Sequence, residues 1–286
     1  MRIDLHTHSN ASDGTDTPAA LMRAAADAGL DVVAITDHDT TSGWAEAAHA
    51  LPAGVSLVRG MEMSCEGRGE RGWPVAVHLL AYLFDPTHPE FAKERERLRA
   101  ERVERIRVMT TMMARDGLPV DPDQILADAD AGPSVGRPHV AAALMRAGVV
   151  SSISEAFSDL LSSRGRYDVP KYDTPLEYAV ELVAAAGGVT VLAHGRARSR
   201  GGLLALDHIR DLAALGLGGL EVDHPDHRSG DRDVLRRLAG DLGLAVTGSS
   251  DYHGENKTIG LGDELTDEAE FDKLVSAATG VEVLGR

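Results

Sequence analysis

The chain has one cysteine, Cys65, in 286 residues, so it cannot build an internal disulfide framework and a reducing compartment is expected. A lone cysteine usually packs as a small buried apolar residue, so Cys65 is assigned no nucleophilic role. Aromatic residues make up only 4% of the sequence. Positive charge is in deficit: 29 Lys and Arg stand against 45 Asp and Glu, for a net charge of −16. That balance excludes nonspecific nucleic-acid binding through a broad basic surface, although bound cations can reverse the field locally. There is no long hydrophobic run. The longest apolar stretch, Val75 to Phe84, is interrupted by His78 and is too short to span a bilayer. No cationic stretch followed by an apolar run opens the chain. A cytoplasmic protein with no membrane association is therefore expected.

What the chain does have is a repeating rhythm of strand-like and helix-like segments, which predicts an α/β protein with a parallel sheet. Residues 2–5 alternate as a short strand. Residues 17–29 read as a helix, capped by Thr17, with Pro18 in its first turn and Gly29 at its end. Buried strands are expected at 31–36, 55–60, 75–80, 188–193, 217–222 and 244–250. Helices are expected at 41–50, 175–186, 203–215, 231–242 and near 267–279. Between 85 and 173 the rhythm breaks. Residues 89–116 give one long charge-rich helix, and 118–173 give short helices and loops. We read this block as an α-helical insert, with 1–84 and 174–286 forming the main domain. The Glu/Arg alternation from Glu94 to Arg107 reads as a solvated helix face with i,i+4 ion pairs.

The residues that follow the strands carry the functional signal. His6 and His8 share one side of an extended segment, because side chains alternate with period two. Asp13 follows them. Later strands lead to His38, Glu62, His78, His194, His224, and finally Asp251 and His253. Every one of the seven expected strands delivers a His, Asp or Glu at or near its end. Of the 12 histidines, seven fall in this set; His49, His88, His139, His208 and His227 do not. In a βα barrel, strand C-termini crowd around one mouth. Imidazoles and carboxylates gathered there suit a polynuclear divalent-metal site. With no thiolate in the set, Mn²⁺ is expected, with Fe²⁺ or Zn²⁺ as alternatives.

Taken together, DLHTHSNASDGTDTP, AITDHDT, GMEMS, HLLAY, AHG, LEVDHPDH and SSDYHG resemble the PHP (polymerase and histidinol phosphatase) superfamily of metal-dependent phosphoesterases. The nucleotide-phosphatase and 5′→3′ exoribonuclease branch is the nearest in pattern. The resemblance covers the full chain, insert included. It implies a distorted seven-stranded (β/α)7, TIM-like barrel whose insert caps the mouth, and three divalent ions. By motif, His6, His8, Glu62 and Asp251 would hold the first ion. Glu62, His78 and His194 would hold the second, with Glu62 bridging. Asp13, His38 and His253 would hold the third. Gly195 stands where relatives often have proline, which alters loop stiffness and no ligand.

Clustered divalent ions generate hydroxide near neutral pH and clamp the oxygens of an in-line displacement at phosphorus. The expected reaction is hydrolysis of a phosphate monoester of a nucleotide by a hydroxide bridging the ions. Nucleoside monophosphates and 3′,5′-bisphosphates are the leading substrates. A 5′→3′ exoribonuclease acting on short RNA is the alternative. An amidohydrolase-like C–N hydrolase or a non-catalytic metal-binding module fits less well. Fixed donors for the phosphate are Arg137 in GRPH and Lys171 in VPKYD. His139 either meets the same phosphate or sits on the first turn of a helix. His224 protonates the leaving oxygen, contacts the phosphate, or supports a ligand from behind. Arg196, Arg198 and Arg200 crowd the loop after His194; they either meet a second phosphate or an RNA backbone, or are solvated. Asp37 and Asp39 flank His38 as orienting or capping groups. No dedicated protein partner is expected.

Overall fold

The structure, a computed structural model, describes the chain apart from residues 131–133, 163–164 and 199–200 and the side chains of 128–130. Arg200 therefore lies outside the described residues.

The first half of the barrel comprises β1 (Ile3–Asp4), α1 (Pro18–Asp27), β2 (Val32–Ile35), α2 (Trp44–His49), β3 (Ser56–Arg68) and β4 (Pro74–Tyr82). The insert follows as α3 (Pro89–Arg115), α4 (Pro122–Asp130), α5 (Arg137–Arg146) and α6 (Ile153–Asp159). The chain returns through β5 (Thr174–Pro175), α7 (Leu176–Ala185), β6 (Val189–Ala193), α8 (Leu206–Leu215), β7 (Gly219–Asp223), α9 (Ser229–Leu242), β8 (Ala245–Gly248) and α10 (Glu268–Ala277). Local signals set several of these bounds. The Thr17 hydroxyl accepts from Ala20 N–H to cap α1, and α8 ends where Gly216 turns left-handed at φ 109°.

The strands run in the order β1-β2-β3-β4-β6-β7-β8, and β5 pairs with β3 off that path. A bridge between Thr7 and Tyr252 brings the two ends together. The result is the expected distorted seven-stranded barrel, with one departure. The sheet is mixed rather than parallel, because β4 runs antiparallel to both β3 and β6. Only residues 69–73 join β3 to β4, too few for a helical crossover, so the chain turns back as a hairpin. The third strand is also much longer than 55–60. It continues through Glu62 and Ser64 with Met61, Met63 and Cys65 buried on its other face.

Alternate strand residues feed two cores. Val32, Ala34, Leu80, Tyr82, Val189 and Val191 fill the barrel interior, where Phe271 and Leu274 of α10 join them. Their neighbours Val33, Ile35, Leu79, Ala81 and Leu192 pack outward against the helices. The insert has its own cluster around Ile106, Met109, Met113, Val140 and Leu144. Helix α3 belongs to both: Phe91 and Leu98 root it in the barrel's outer layer. Its surface carries i,i+3 pairs, as in Arg97–Glu94 at 2.6 Å and Arg99–Glu96 at 3.2 Å.

Candidate metal centre

The residues expected at the strand ends converge. Glu62 lies at the centre. One of its oxygens, Oε2, is 3.1 Å from His6 Nε2, 3.0 Å from His8 Nε2 and 3.2 Å from His38 Nδ1. The other, Oε1, is 2.7 Å from His78 Nδ1 and 2.9 Å from His194 Nε2. Asp251 Oδ1 lies 3.4 Å from both His6 Nε2 and His8 Nε2. Asp13 faces His253 Nε2 at 3.3 Å and His38 Nε2 at 3.6 Å. Three sets of donor atoms fall within 4.8 Å of one another: His6, His8, Glu62 and Asp251; His38, Glu62 and His78; and His8, Asp13, His38 and His253. His8 and His38 thus sit between sets. His194 reaches the second set through Glu62. All these groups are buried except His78 and Asp13, which are intermediate.

The chemistry of the donors fits metal ions. His38 Nδ1 and His78 Nδ1 are buried and lack a hydrogen-bond partner of good geometry, although a Glu62 oxygen lies close to each. An orphaned imidazole nitrogen beside a carboxylate is costly unless a cation lies between them. The ring orientations agree. His6 Nδ1–H donates to Glu221 Oε1 at 2.9 Å, which leaves Nε2 as a lone pair facing Glu62. His253 Nδ1–H donates to the Asp251 carbonyl at 2.8 Å, which turns its Nε2 lone pair to Asp13. Burial opposes charge on Glu221, yet His6 and His224 hold its carboxyl down at about 2, so it is an acceptor throughout. Its Oε2 also accepts from the His194 backbone N–H at 2.6 Å. Glu221 lies inside β7, and a glutamate among the apolar residues of a buried strand was the available sequence signal for it.

Backbone strain marks the same place. Among the described residues, the non-glycine residues with positive φ are Asp39 (52°), Leu83 (57°), His194 (31°) and Asp251 (53°). Three of these four adjoin or belong to the cluster. Each conformation costs on the order of 1–2 kcal/mol, so surrounding contacts must impose it.

Asp37 and Asp39 support the loops from behind. Asp37 accepts from Ser9 N–H at 2.8 Å and from the Ser9 and Ser12 hydroxyls, both at 2.7 Å. Asp39 accepts from Ser64 N–H and the Ser64 hydroxyl, both at 2.7 Å, and pairs with Arg102 of α3. Burial opposes ionisation of Asp39, but the Arg102 guanidinium holds its carboxyl well below the usual range.

A cavity of about 1170 Å³ opens over the cluster, lined by His38, His78, Arg102, Arg105, Arg137 and Lys171 among others. Arg137 and Lys171 are thus brought to the mouth. Burial pushes the Arg137 guanidinium down to about 10, reinforced by Arg105 nearby. Arg102 and Arg105 were not anticipated, because the charge pattern of α3 reads as a solvated face. The Arg102 side chain is 12% exposed, and its Nη2 also donates to Ser64 Oγ at 2.8 Å. His139 is not among the residues lining the cavity; its Nδ1 accepts from Gly136 N–H at 3.1 Å and caps α5. His224 does line the cavity. Its Nδ1 accepts from Asp226 N–H at 3.0 Å, so Nε2 carries the proton and faces Asp251 Oδ2 at 3.3 Å. Arg196 and Arg198 are not among the residues lining the cavity, although Gly195 and Ala197 beside them are. Arg196 and Arg198 both pair with Asp231, at 3.1 and 2.7 Å, and Arg196 also reaches Glu70.

A mixed-strand barrel whose mouth gathers histidines and carboxylates beneath a cationic rim is the architecture of a metal-dependent phosphoesterase, a hydrolase. Residues 4–131 match the PHP domain model. Over 92% of its length the chain is 32% identical to a 5′-3′ exoribonuclease of Haemophilus influenzae, covering 94% of that protein. A 3′,5′-nucleoside bisphosphate phosphatase of Chromobacterium violaceum is 32% identical over 88% of the chain and 87% of its own length. The crystal structure of a candidate metal-dependent phosphoesterase from Bifidobacterium adolescentis superposes with a TM-score of 0.89 at 36% identity, covering 97% of this chain and 96% of that one. The chain belongs to the PHP domain family. No helix among the described residues is long and apolar enough to cross a membrane.

Proposed function

We propose that this protein hydrolyses the phosphate monoesters of nucleotides, nucleoside monophosphates or 3′,5′-bisphosphates, and that it works in the cytoplasm. The observation that carries this reading is the pairing, across one cavity, of a buried His/carboxylate cluster with Arg102, Arg105, Arg137 and Lys171. His6, His8, Glu62 and Asp251 would hold one divalent ion. Glu62, His78 and His194 would hold a second, and Asp13, His38 and His253 a third. Mn²⁺ suits the nitrogen and oxygen donors, with Fe²⁺ or Zn²⁺ as alternatives. When bound, such ions activate water and neutralise the phosphoryl charge. Arg137 and Lys171 bind the phosphate from the insert, and their rigid placement keeps the phosphorus over the cluster. The His224 Nε2–H, which faces Asp251 Oδ2 at 3.3 Å, would turn to a phosphate oxygen when substrate binds. Its Nδ1 is already an acceptor for Asp226, which opposes a doubly protonated ring and favours this contact over proton delivery.

The relative named as an exoribonuclease keeps short RNA as the alternative substrate. The ion pairing of Arg196 and Arg198 with Asp231 favours the small substrate, because it removes the basic track an RNA strand would follow. Phosphate release with Mn²⁺ from AMP, adenosine 3′,5′-bisphosphate and a short 5′-phosphorylated RNA tests the assignment. Turnover of the mononucleotides alone supports it. Stepwise nucleotide release from the RNA would replace it with the nuclease.

A further inference from the structure

We propose that Lys257 binds the reacting phosphoryl group from the wall of the cavity opposite the insert. The inference rests on the phosphoesterase reading and adds a residue to it. Lys257 follows a single turn of 3₁₀ helix, Gly254–Asn256, beyond β8. In the strand order, β8 stands three places from β4 one way round and three from β3 the other. It therefore faces the insert across the mouth.

Charge makes the placement informative. The described residues lining the cavity on this side include Asp226, Asp251 and Glu255, and Lys257 is the one Lys or Arg among them. Without it, this wall would repel a phosphate that the insert attracts. The ammonium contacts Asp251 twice, at the carbonyl oxygen (3.2 Å) and at Oδ2. An ammonium has three hydrogens to donate. The side chain is 32% exposed and lines the cavity, so the third direction is open to a ligand. Asp251 Oδ1, the other oxygen of the same carboxylate, faces His6 Nε2 and His8 Nε2. A phosphoryl oxygen drawn to a cation held by these groups would come within reach of Lys257.

The loop is also held in place. Asn256 Nδ2 donates to the Asp13 carbonyl at 2.9 Å, and Glu255 N–H donates to the Thr15 hydroxyl at 3.0 Å. Gly254 has φ +64°, and a Cβ there would fall 1.9 Å from Thr15 Oγ1, so this close approach requires glycine. A cation fixed this way meets developing phosphoryl charge without reorganising.

The test uses the Mn²⁺-loaded protein, with inorganic phosphate as the binding probe in calorimetry and bound metal counted by elemental analysis. Lys257→Met is expected to weaken phosphate binding about 10- to 100-fold, the range for a hydrogen bond to a charged group. Its metal content should stay at the wild-type level. kcat/KM should fall by a common factor for AMP and adenosine 3′,5′-bisphosphate. Lys257→Arg, which keeps the charge, should recover most of the phosphate affinity. Unchanged phosphate binding in Lys257→Met overturns the proposal. So does loss of metal with normal phosphate affinity at saturating Mn²⁺, because Lys257 would then only orient Asp251. Wild-type protein that binds phosphate through Lys257 yet hydrolyses no nucleotide would remove the substrate assignment and leave this one standing.

Discussion

Glu221 Oε1 accepts the Nδ1–H of His6 at 2.9 Å, and neither side chain is exposed to solvent. This contact selects the tautomer that leaves His6 Nε2 as a lone pair towards Glu62. Glu221→Gln keeps the volume and removes the charge. Metal affinity, read by chelator competition, is expected to fall about 10- to 100-fold, as for other groups that orient a ligating histidine. Unaltered affinity would mean that His6 is not a ligand.

Asp13→Ala should abolish turnover, by about 100-fold or more, with little change in melting temperature. Asp13 is partly exposed at the open mouth and contributes no apolar packing. Phosphate-release assays and thermal melts check the two halves separately. Retained activity would eliminate the third ion site.

Arg137→Ala should raise KM about 10- to 100-fold, the cost of losing charged hydrogen bonds to phosphate. A fall in kcat as well would show that the contact strengthens in the transition state. Part of the guanidinium is already engaged, with Nη1 donating to the Leu161 carbonyl at 3.1 Å. Steady-state kinetics identical to wild type would leave Arg137 a structural residue.

Arg102→Met leaves the buried Asp39 carboxylate without its ion-pair partner, with only the Ser64 hydrogen bonds to hold it. Breaking such a pair costs about 3–5 kcal/mol, so denaturant unfolding should show a large loss. Adding Asp39→Asn should restore part of it, since the two residues act as one unit. Equal stability of the single and double variants would show that the pair is not coupled.

Metal uptake should strengthen as pH rises from 6.5 towards 9. Burial opposes a charge on His8, but hydrogen bonds to Asp251 and Glu62 outweigh it and raise the ring to about 9 in the metal-free protein. A proton then competes with the ion for that nitrogen. The same shift sets the sign for stability. With the folded value above the unfolded one, the contribution is complete below about 6.5 and is lost as pH rises through about 9. Melting of metal-free protein should therefore decline over that window, and metal-loaded protein should not follow it. Pairing of the two curves would contradict the ligand assignment.

Much of the centre was legible in the sequence. Short apolar strands announce themselves, and a residue at a strand end is placed by the strand itself, so the pattern alone groups His6, His8, His38, His194 and Asp251. The β4 hairpin was hidden, because the strands expected at 55–60 and 75–80 leave room for a crossover, and the connection shrinks to 69–73 only when β3 runs on to Arg68. The long side chains were hidden for another reason. Arg102 lies in a Glu/Arg pattern indistinguishable from a solvated helix until Asp39, 63 residues away, receives it. Arg196 and Arg198 look like a nucleic-acid track until Asp231 of α9 takes both. Lys257 shows no sign of function until the barrel closes and brings it to Asp251. The sequence by itself determined the elements and the donors at their ends, because backbone periodicity is local. Only the tertiary structure decided which charges face the cavity, because a flexible side chain turns towards the opposite charge that folding brings within reach.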